Sequence, residues 1–327
     1  MKFFIYFWII FALYFIFAHP AIIYYNTPSS TNLADKDPSL ALFYLTIAIV
    51  GWALVLIFLA FGIYKSTFGQ RKSILKLLRE GRSVSSTIVK TLSSKPGKNK
   101  TIQQEFVVSF TNFAKQEVQY TLVVNDSKPE MKRYEVGGKL RLCIDESIRI
   151  PPYILPEDTQ VKISIQKVIL FYGLWALLTV GIIAYFFYAY QTESQGYGWR
   201  FMVIYHPLLL SMFTIVGLGT IAYFLIFKLF VPKMAGIKNN DKIALLLYGH
   251  KTMATVEDVT QTGTYINEQP EIKFTLSYTD GKGNVRQVST KKIVRLINLH
   301  QVQQSNRTIF YLPDSPDVVA FEEDIQS

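Results

Sequence analysis

The chain has 327 residues, half of them hydrophobic, with one cysteine and a formal net charge of +10. A single cysteine, Cys143, excludes an intrachain disulfide and a cysteine-rich zinc site, and the hydrophobic fraction favours a membrane protein. The charge is uneven, because residues 65–165 have 18 Lys/Arg against 10 Asp/Glu whereas residues 228–327 have 12 against 11.

Four apolar segments approach the roughly 20 residues that a helix needs to cross a bilayer. None of them contains Asp or Glu. The first is also compatible with a signal peptide because Lys2 precedes it, although Ala18-His-Pro-Ala21 is a poor cleavage site. We expect four spans with outer loops at 19–40 and 191–201, the spans being Phe3–Ala18, Ala41–Tyr64, Val168–Tyr190 and about Met202–Phe230.

Basic residues gather at one end of these segments, and the opposite ends carry only Lys36 and Arg200. Lys and Arg near span ends favour the cytoplasmic side. The bias predicts a multi-pass protein of the bacterial inner membrane with cytoplasmic N- and C-termini. The residues that carry it are Lys2, Lys65, Arg71, Lys72, Lys76, Arg79, Lys162, Lys167, Lys228, Lys233, Lys238 and Lys242.

The predicted outer loops carry aromatic residues that suit the membrane interface, namely Tyr24, Tyr25, Tyr197 and Trp199. Two His-Pro pairs, His19-Pro20 and His206-Pro207, fall near the same boundary. We interpret both pairs as interfacial helix ends, with a metal or proton role as the alternative. In the fourth segment, Gly217-Leu-Gly219 predicts close helix packing.

The order of span, outer loop, span and soluble module occurs twice, which predicts an internal tandem repeat. The two halves are 1–64 with 65–165, and 166–230 with 231–327. Leu78-Arg-Glu-Gly81 matches Leu246-Leu-Tyr-Gly249, and "QEFVVSFTN" from Gln104 matches "EIKFTLSYTDG" from Glu271. The expected fold class is an α+β membrane protein with four transmembrane helices and two small antiparallel β-barrel or rolled-sheet modules.

The second module has the clearer strand pattern. Apolar residues alternate from Glu271 to Thr279, as a half-buried strand requires. Asp280-Gly-Lys-Gly-Asn284 predicts a hairpin turn to Val285–Ser289, with a phosphate cradle as the less favoured alternative. Further strands are predicted at Ala254–Thr260, ended by a turn at Thr262-Gly263, and at Thr308–Leu312 and Val318–Phe321, joined through Pro313-Asp-Ser-Pro316.

Several short motifs occur together in this module: Gly249 with Ala254-Thr-Val256, Gly263-Thr-Tyr-Ile-Asn267, Pro270, Phe274-Thr-Leu276, Gly281-Lys-Gly283 and Phe310-Tyr-Leu-Pro-Asp-Ser-Pro316. In this pattern the module resembles a bacterial membrane-tethered small β-domain family of unknown function, and the first module resembles a diverged copy. The resemblance implies architecture and no established activity. We take Gly249, Gly263, Phe274, Tyr278, Gly281, Gly283, Pro313 and Pro316 as the turn and core positions.

A basic amphipathic helix is predicted between the second span and the first module, ended by Gly81. Its basic residues are Arg71, Lys72, Lys76 and Arg79. Such a helix suits an anionic lipid surface, where each basic residue contributes on the order of 1 kcal/mol. The alternative is a helix packed on its own module with a solvated basic face.

Catalytic motifs are missing from the sequence. No histidine pair has metal-ligand spacing, and neither a nucleophile elbow nor a phosphate loop occurs. The spans lack the ionisable residues that proton and ion pathways use. Lys95, Lys98 and Lys100 lie in a loop without stacking aromatics, which disfavours nucleic-acid binding. We therefore expect no enzyme, no cofactor and no metal.

The leading hypothesis is a non-enzymatic integral membrane protein whose cytoplasmic β modules bind a protein partner or the membrane surface. The partner is unidentified, and homo-oligomerisation is an open alternative. A second hypothesis is an immunity protein that neutralises a membrane- or envelope-acting bacterial toxin, because small multi-span proteins without catalytic residues fit that role. A third is a channel or transporter subunit.

Overall fold

A computed structural model describes residues 2–27, 32–97, 101–149, 151–225, 239–266, 269–294 and 304–325. The chain divides into two compact units. The helical unit comprises residues 1–71 and 162–229, and the β unit comprises residues 72–161 and 230–327. Both predicted pairs of spans thus belong to one unit, and both predicted modules belong to the other.

The helical unit contains five described α-helices: α1 (Lys2–Leu13), α2 (His19–Asn26), α3 (Pro38–Tyr64), α5 (Ile165–Glu193) and α6 (Pro207–Tyr223). Helix α4 (Gln70–Glu80) lies at the boundary between the units. Short π-helical turns join α1 to α2 at Tyr14–Ala18 and α3 to α4 at Lys65–Gly69. Each pair is therefore a continuous helical stretch.

Three of these stretches are long and apolar enough to cross a membrane: Tyr6–Asn26, Pro38–Glu80 and Ile165–Glu193. They agree with a membrane protein, but the prediction of four spans is wrong for the residues that the structure describes. The fourth apolar helix, α6, has 17 residues, and residues 226–230 of the predicted span lie outside the described ranges. Helix α6 begins at Pro207 rather than Met202 because His206 caps it, its Nδ1 accepting a 3.3 Å hydrogen bond from the Leu208 amide.

The first apolar helix ends later than predicted. It continues past Ala18 through α2 to Asn26, so the predicted outer loop 19–40 begins inside a helix. Pro20 is tolerated within this continuous helix because it closely follows a π-helical turn. A proline has no amide to donate, and local π-helical adjustments help to satisfy the backbone groups that it leaves free.

Helices α3 and α6 approach each other closely at Gly51. A Cβ added there would lie 2.7 Å from Met212 Cε, so the flexible Met212 side chain would have to shift. The indole Nε1 of Trp52, the next residue, donates a 2.8 Å hydrogen bond to the Leu208 carbonyl. The prediction of close packing at Gly217 and Gly219 is wrong, because no described atom lies within 4 Å of a Cβ at either position.

The β unit contains two five-stranded antiparallel sheets. The first is a half-barrel of order β3-β2-β1-β4-β5, and the second, of order β10-β9-β6-β7-β8, is nearly a closed barrel because its edge strands β8 and β10 approach each other. The strands of the first are β1 (Arg82–Pro96), β2 (Ile102–Thr111), β3 (Glu117–Asp126), β4 (Lys139–Ile144) and β5 (Ile154–Pro156). Those of the second are β6 (His250–Ile266), β7 (Gln269–Thr279), β8 (Val285–Ile293), β9 (Asn306–Leu312) and β10 (Ser315–Phe321).

The two sheets have the same strand order when each is counted from its own first strand. Their first three strands also pair in the same register at an offset of 168 residues. Ser86 pairs with Phe110 as Ala254 pairs with Tyr278, and Phe110 then pairs with Val118 as Tyr278 pairs with Arg286. Each first strand skips one residue at the equivalent place, Val89 and Glu257, which is a β-bulge.

The strands predicted for the second module are confirmed, and most are longer than predicted. One boundary is wrong. Thr262-Gly263 does not end β6, which continues to Ile266. Gly263 adopts a φ of +79° where the β6–β7 register is irregular, so it serves a bulge within the strand rather than a turn after it.

The two sheets share one hydrophobic core through a helix that the sequence places with the second sheet. Helix α7 (Asn239–Tyr248) leads directly into β6. Its apolar residues Ile243, Leu245, Leu246 and Leu247 are buried in one cluster with first-sheet residues such as Phe106 and Leu142, and with Phe310 of β9. The two modules therefore form a single body.

Asn112, in the β2–β3 turn, fixes the end of α7 against the first sheet. Its Nδ2 donates hydrogen bonds to the Leu246 and Gly249 carbonyls at 3.2 and 3.0 Å, and its Oδ1 accepts the Gln116 amide at 2.8 Å. The adjacent Phe113 amide donates to the Leu247 carbonyl at 2.9 Å. Helix C-termini leave carbonyls without intrahelical partners, so this turn satisfies groups that burial would otherwise leave unpaired.

We predict that Asn112→Ala lowers the free energy of unfolding of the β unit by about 1–3 kcal/mol, because buried carbonyls lose their donor. Asn112→Asp keeps the acceptor for Gln116 but loses the donor, so it should be at least as damaging. Cys143, the one cysteine, is 2% exposed and reports unfolding through its rate of thiol labelling in urea. Exposed Asn125→Ala is the control, and equal labelling of Asn112→Ala and this control would contradict the prediction.

Candidate interaction surface

The four basic residues predicted to meet the membrane surface all lie on α4 and are exposed: Arg71, Lys72, Lys76 and Arg79. Lys76 and Arg79 contact Glu80 at 3.8 and 2.8 Å, and exposed pairs of this kind contribute little to stability. Only Leu77 of this helix is buried. Because α4 continues α3 without a break, these charges follow directly on an apolar helix that could cross a membrane.

The glycines of the turn between β7 and β8 have distinct tasks. Gly283 adopts a φ of +83°, which favours glycine. Gly281 donates its amide to the Tyr311 hydroxyl at 2.7 Å, and a Cβ there would lie 3.1 Å from that oxygen. The predicted hairpin is confirmed at this turn.

The same turn is organised by the carboxylate of Asp280. Its Oδ1 accepts the amides of Lys282 and Asn284, each at 2.9 Å, and its Oδ2 lies 3.2 Å from Arg286 Nε. The Asn284 amide is the largest of the contributions that lower the pKa of Asp280 from its usual 3.8 to about 2. The amides that a phosphate cradle would need are therefore already bonded within the protein.

The remaining predicted positions are structural as well. Phe274 is fully buried, with its ring edge-to-face against Phe321 at 5.1 Å. The Tyr278 hydroxyl donates to the Pro316 carbonyl at 2.7 Å, and burial is the main cause that raises the pKa of Tyr278 to about 12. Gly249 is needed because a Cβ would lie 2.2 Å from the Leu245 carbonyl.

The two prolines belong to the turn after β9 and to the strand that follows it. Pro313 is exposed in the turn, and Pro316 is the second residue of β10. Strand β10 is an edge of the sheet, where a missing amide is tolerated.

An apolar patch on the outer face of the first sheet was not predicted. In β2, Phe106 and Val108 face the core, whereas Val107 and Glu105 occupy the alternate positions. Glu105 pairs with Val123 of β3, which is 57% exposed. Two residues that the β1–β2 register skips, Val89 and Leu92, are also exposed. We call Val89, Leu92, Val107 and Val123 the outer patch, in which Val107 is only 9% exposed and the other three residues are exposed.

The second sheet supplies a matched comparison. At the offset of 168 residues Val89, Val107 and Val123 correspond to Glu257, Thr275 and Lys291. Leu92 has no counterpart, because β6 has no bulge at that place. Three aliphatic residues of the first sheet are thus replaced by polar residues in the second. The scaffold itself therefore does not require apolar residues on this face, and exposed apolar clusters mark interaction sites.

The helical unit contains a partly buried polar cluster that the sequence did not reveal. Glu193, near the end of α5, accepts hydrogen bonds from the hydroxyls of Tyr24 and Tyr25 at 2.5 and 2.9 Å. Nδ1 of His206 accepts the Leu208 amide, and its Nε2 lies 3.5 Å from Glu193 Oε2. The His206 side chain is fully buried.

The contacts of this cluster connect α2 and α5 to the start of α6. The prediction that His206 is a helix end is confirmed, and its side chain is buried within the protein. Among the described residues no group of three or more His, Cys, Asp or Glu could hold a metal ion. Glu193 was missed because it lies three residues beyond the predicted span, at a separation of 169 residues from Tyr24.

Comparisons of this chain with protein-family models, with curated proteins and with solved structures find no match. Only the chemistry of the outer patch and of the basic residues of α4 therefore indicates what these surfaces bind.

We predict an acid-dependent contribution from Asp280. Because its folded-state pKa is depressed, the contribution is present above about pH 3.8 and is lost as the pH falls through about 2. Asp280→Asn should therefore increase cleavage by pepsin most at pH 5 and least near pH 2. Asp314→Asn, in the exposed β9–β10 turn, is the matched control. A pH-independent difference between Asp280→Asn and the wild type would contradict the assignment.

Proposed function

We propose that this chain is a non-enzymatic integral protein of the bacterial inner membrane whose cytoplasmic β unit binds a protein partner through the outer patch. The single observation that carries the proposal is the contrast between the two sheets. Val89, Val107 and Val123 of the first sheet are aliphatic, whereas Glu257, Thr275 and Lys291 occupy the equivalent backbone positions of the second sheet.

The position of the outer patch also supports a protein partner. Val123 lies on β3, which is an edge of the first sheet in the described part of the chain. An edge strand presents unpaired amides and carbonyls to which an extended segment can pair. A partner strand on β3 could place apolar side chains against Val123 and its neighbours while its backbone bonds to the edge.

The basic residues of α4 support a second contact, with anionic lipid head groups. Arg71 and Lys72 follow a 27-residue apolar helix by fewer than ten residues. Basic residues that close to a membrane are attracted to anionic lipids by on the order of 1 kcal/mol each. This places the β unit on the cytoplasmic side in the proposal, as the distribution of Lys and Arg predicts.

The proposal includes an internal duplication of the β module. The shared strand order, the offset of 168 residues in the pairing of the first three strands and the equivalent bulges at Val89 and Glu257 support it. Gly81 and Gly249 support it too, since each donates its amide to a leucine carbonyl four residues earlier, at 2.7 and 2.9 Å. After duplication, the first copy kept or gained an apolar outer face.

Deletion of the second module would not test this function, because it removes α7 from the core of the first sheet. We therefore predict the effect of Val123→Lys in living cells, with a photo-crosslinking residue placed at Thr121 on the same outer face. The yield of adduct with a different protein should fall at least about tenfold, the equivalent of ~1.4 kcal/mol.

Val285→Lys is the matched control, because Val285 lies in the second sheet and is 73% exposed. Neither lysine should affect folding, since both valines are largely in solvent. Equal adduct yields from the two variants would refute the outer patch as the binding surface. An adduct of twice the mass of the chain would assign the patch to self-association instead.

A further inference from the structure

A groove of about 530 Å³ lies between α3 and α5 in the helical unit. Ile49, Ala53 and Leu56 line it from α3, and Phe186 and Tyr190 line it from α5. Trp199 lies at one end, with its ring centroid 4.9 Å from that of Tyr190. The volume lies in the range of small-molecule sites, about 300–1,000 Å³.

The walls of the groove suit a hydrocarbon and offer little to a polar ligand. Trp52 also lines the groove, but its indole nitrogen is bonded to the Leu208 carbonyl. The polar side-chain atoms of Tyr190 and Trp199 lie at the end of the groove that these two rings form. Because a bound water needs two to four polar partners, water is a poor occupant of the remaining length.

The dimensions distinguish an acyl chain from a partner helix. From Ile49 to Leu56 the groove follows α3 for about 10 Å, at 1.5 Å per residue. This length is less than the thickness of one leaflet, and one leaflet is about half of the roughly 30 Å hydrocarbon core. Helix partners in membranes also favour small residues at their contact, whereas all but Ala53 of the residues named here are large.

We propose that this groove binds one acyl chain of a membrane phospholipid, with its head group at the Tyr190–Trp199 end. Both walls belong to helical stretches that could cross a membrane, so the surrounding solvent is lipid. An unfilled groove would forfeit the dispersion contacts of its lining. An ordered acyl chain restores these dispersion contacts along Ile49, Ala53 and Leu56. The site is independent of the outer patch.

The test uses tryptophan quenching by a phospholipid brominated in mid-chain. Trp52 and Trp199 line the groove, so Trp8→Phe with Trp175→Phe leaves only these two fluorophores. In detergent micelles, the full-length protein should show saturable quenching at about one lipid per chain. Ala53→Phe places a ring in the groove and should raise the lipid concentration for half-maximal quenching about tenfold.

Ala184→Phe is the matched control, because Ala184 is exposed on α5 and does not line the groove. Quenching that never saturates, or that is equal in the two phenylalanine variants, overturns the proposal in favour of general surface lipid. Native mass spectrometry of the protein with all four tryptophans gives an independent readout. One retained phospholipid should be lost in Ala53→Phe, and its absence from both proteins also overturns the proposal.

Discussion

The carbonyls at the end of α7 need donors, and the first sheet provides them. Leu246, Leu247 and Gly249 have carbonyls that accept hydrogen bonds from the β2–β3 turn, two of them from the buried side chain of Asn112. The leucines of α7 lie in the same core as Phe106. A helix that the chain connects to the second sheet is thereby held by the first, which joins the two modules into one body.

That arrangement explains which surfaces the β unit can offer to partners. Each module alone would expose an apolar face, and packing through α7 buries it. Exposed apolar residues remain on both sheets, and in the first sheet they include Val89 and Leu92, the residues at its two bulges. The second sheet has polar residues at the positions equivalent to Val89, Val107 and Val123, and a turn organised by Asp280.

Several elements of this structure could be predicted from the sequence because local chemistry determines them. The strict alternation from Ile272 to Tyr278 identifies β7, and the Asp-Gly-Lys-Gly-Asn sequence identifies its turn. The outer patch could not be read in the same way. Phe106-Val-Val108 is a continuous apolar run that hides which face Val107 occupies, and the bulges at Val89 and Leu92 depend on pairing with β2.

Long-range contacts account for the remaining errors. Helix α7 was not predicted, and its apolar residues alone would not indicate which of the two sheets buries them. The bond between Glu193 and Tyr24 joins residues 169 apart, so no local pattern reveals it. The first helix passes Pro20 because a π-helical turn precedes it, and α6 begins late because His206 caps it.

The most direct test of the central claim is hydrogen–deuterium exchange of the full-length Leu246→Ala protein. Leu246 is 1% exposed, and truncation of a buried leucine costs about 2–5 kcal/mol. If α7 is part of the core of the first sheet, protection falls in β2 and β3 as well as in β6 and β9, whereas Leu75→Ala, at an exposed position of α4, leaves it unchanged. Loss of protection confined to residues 239–325 would contradict the account.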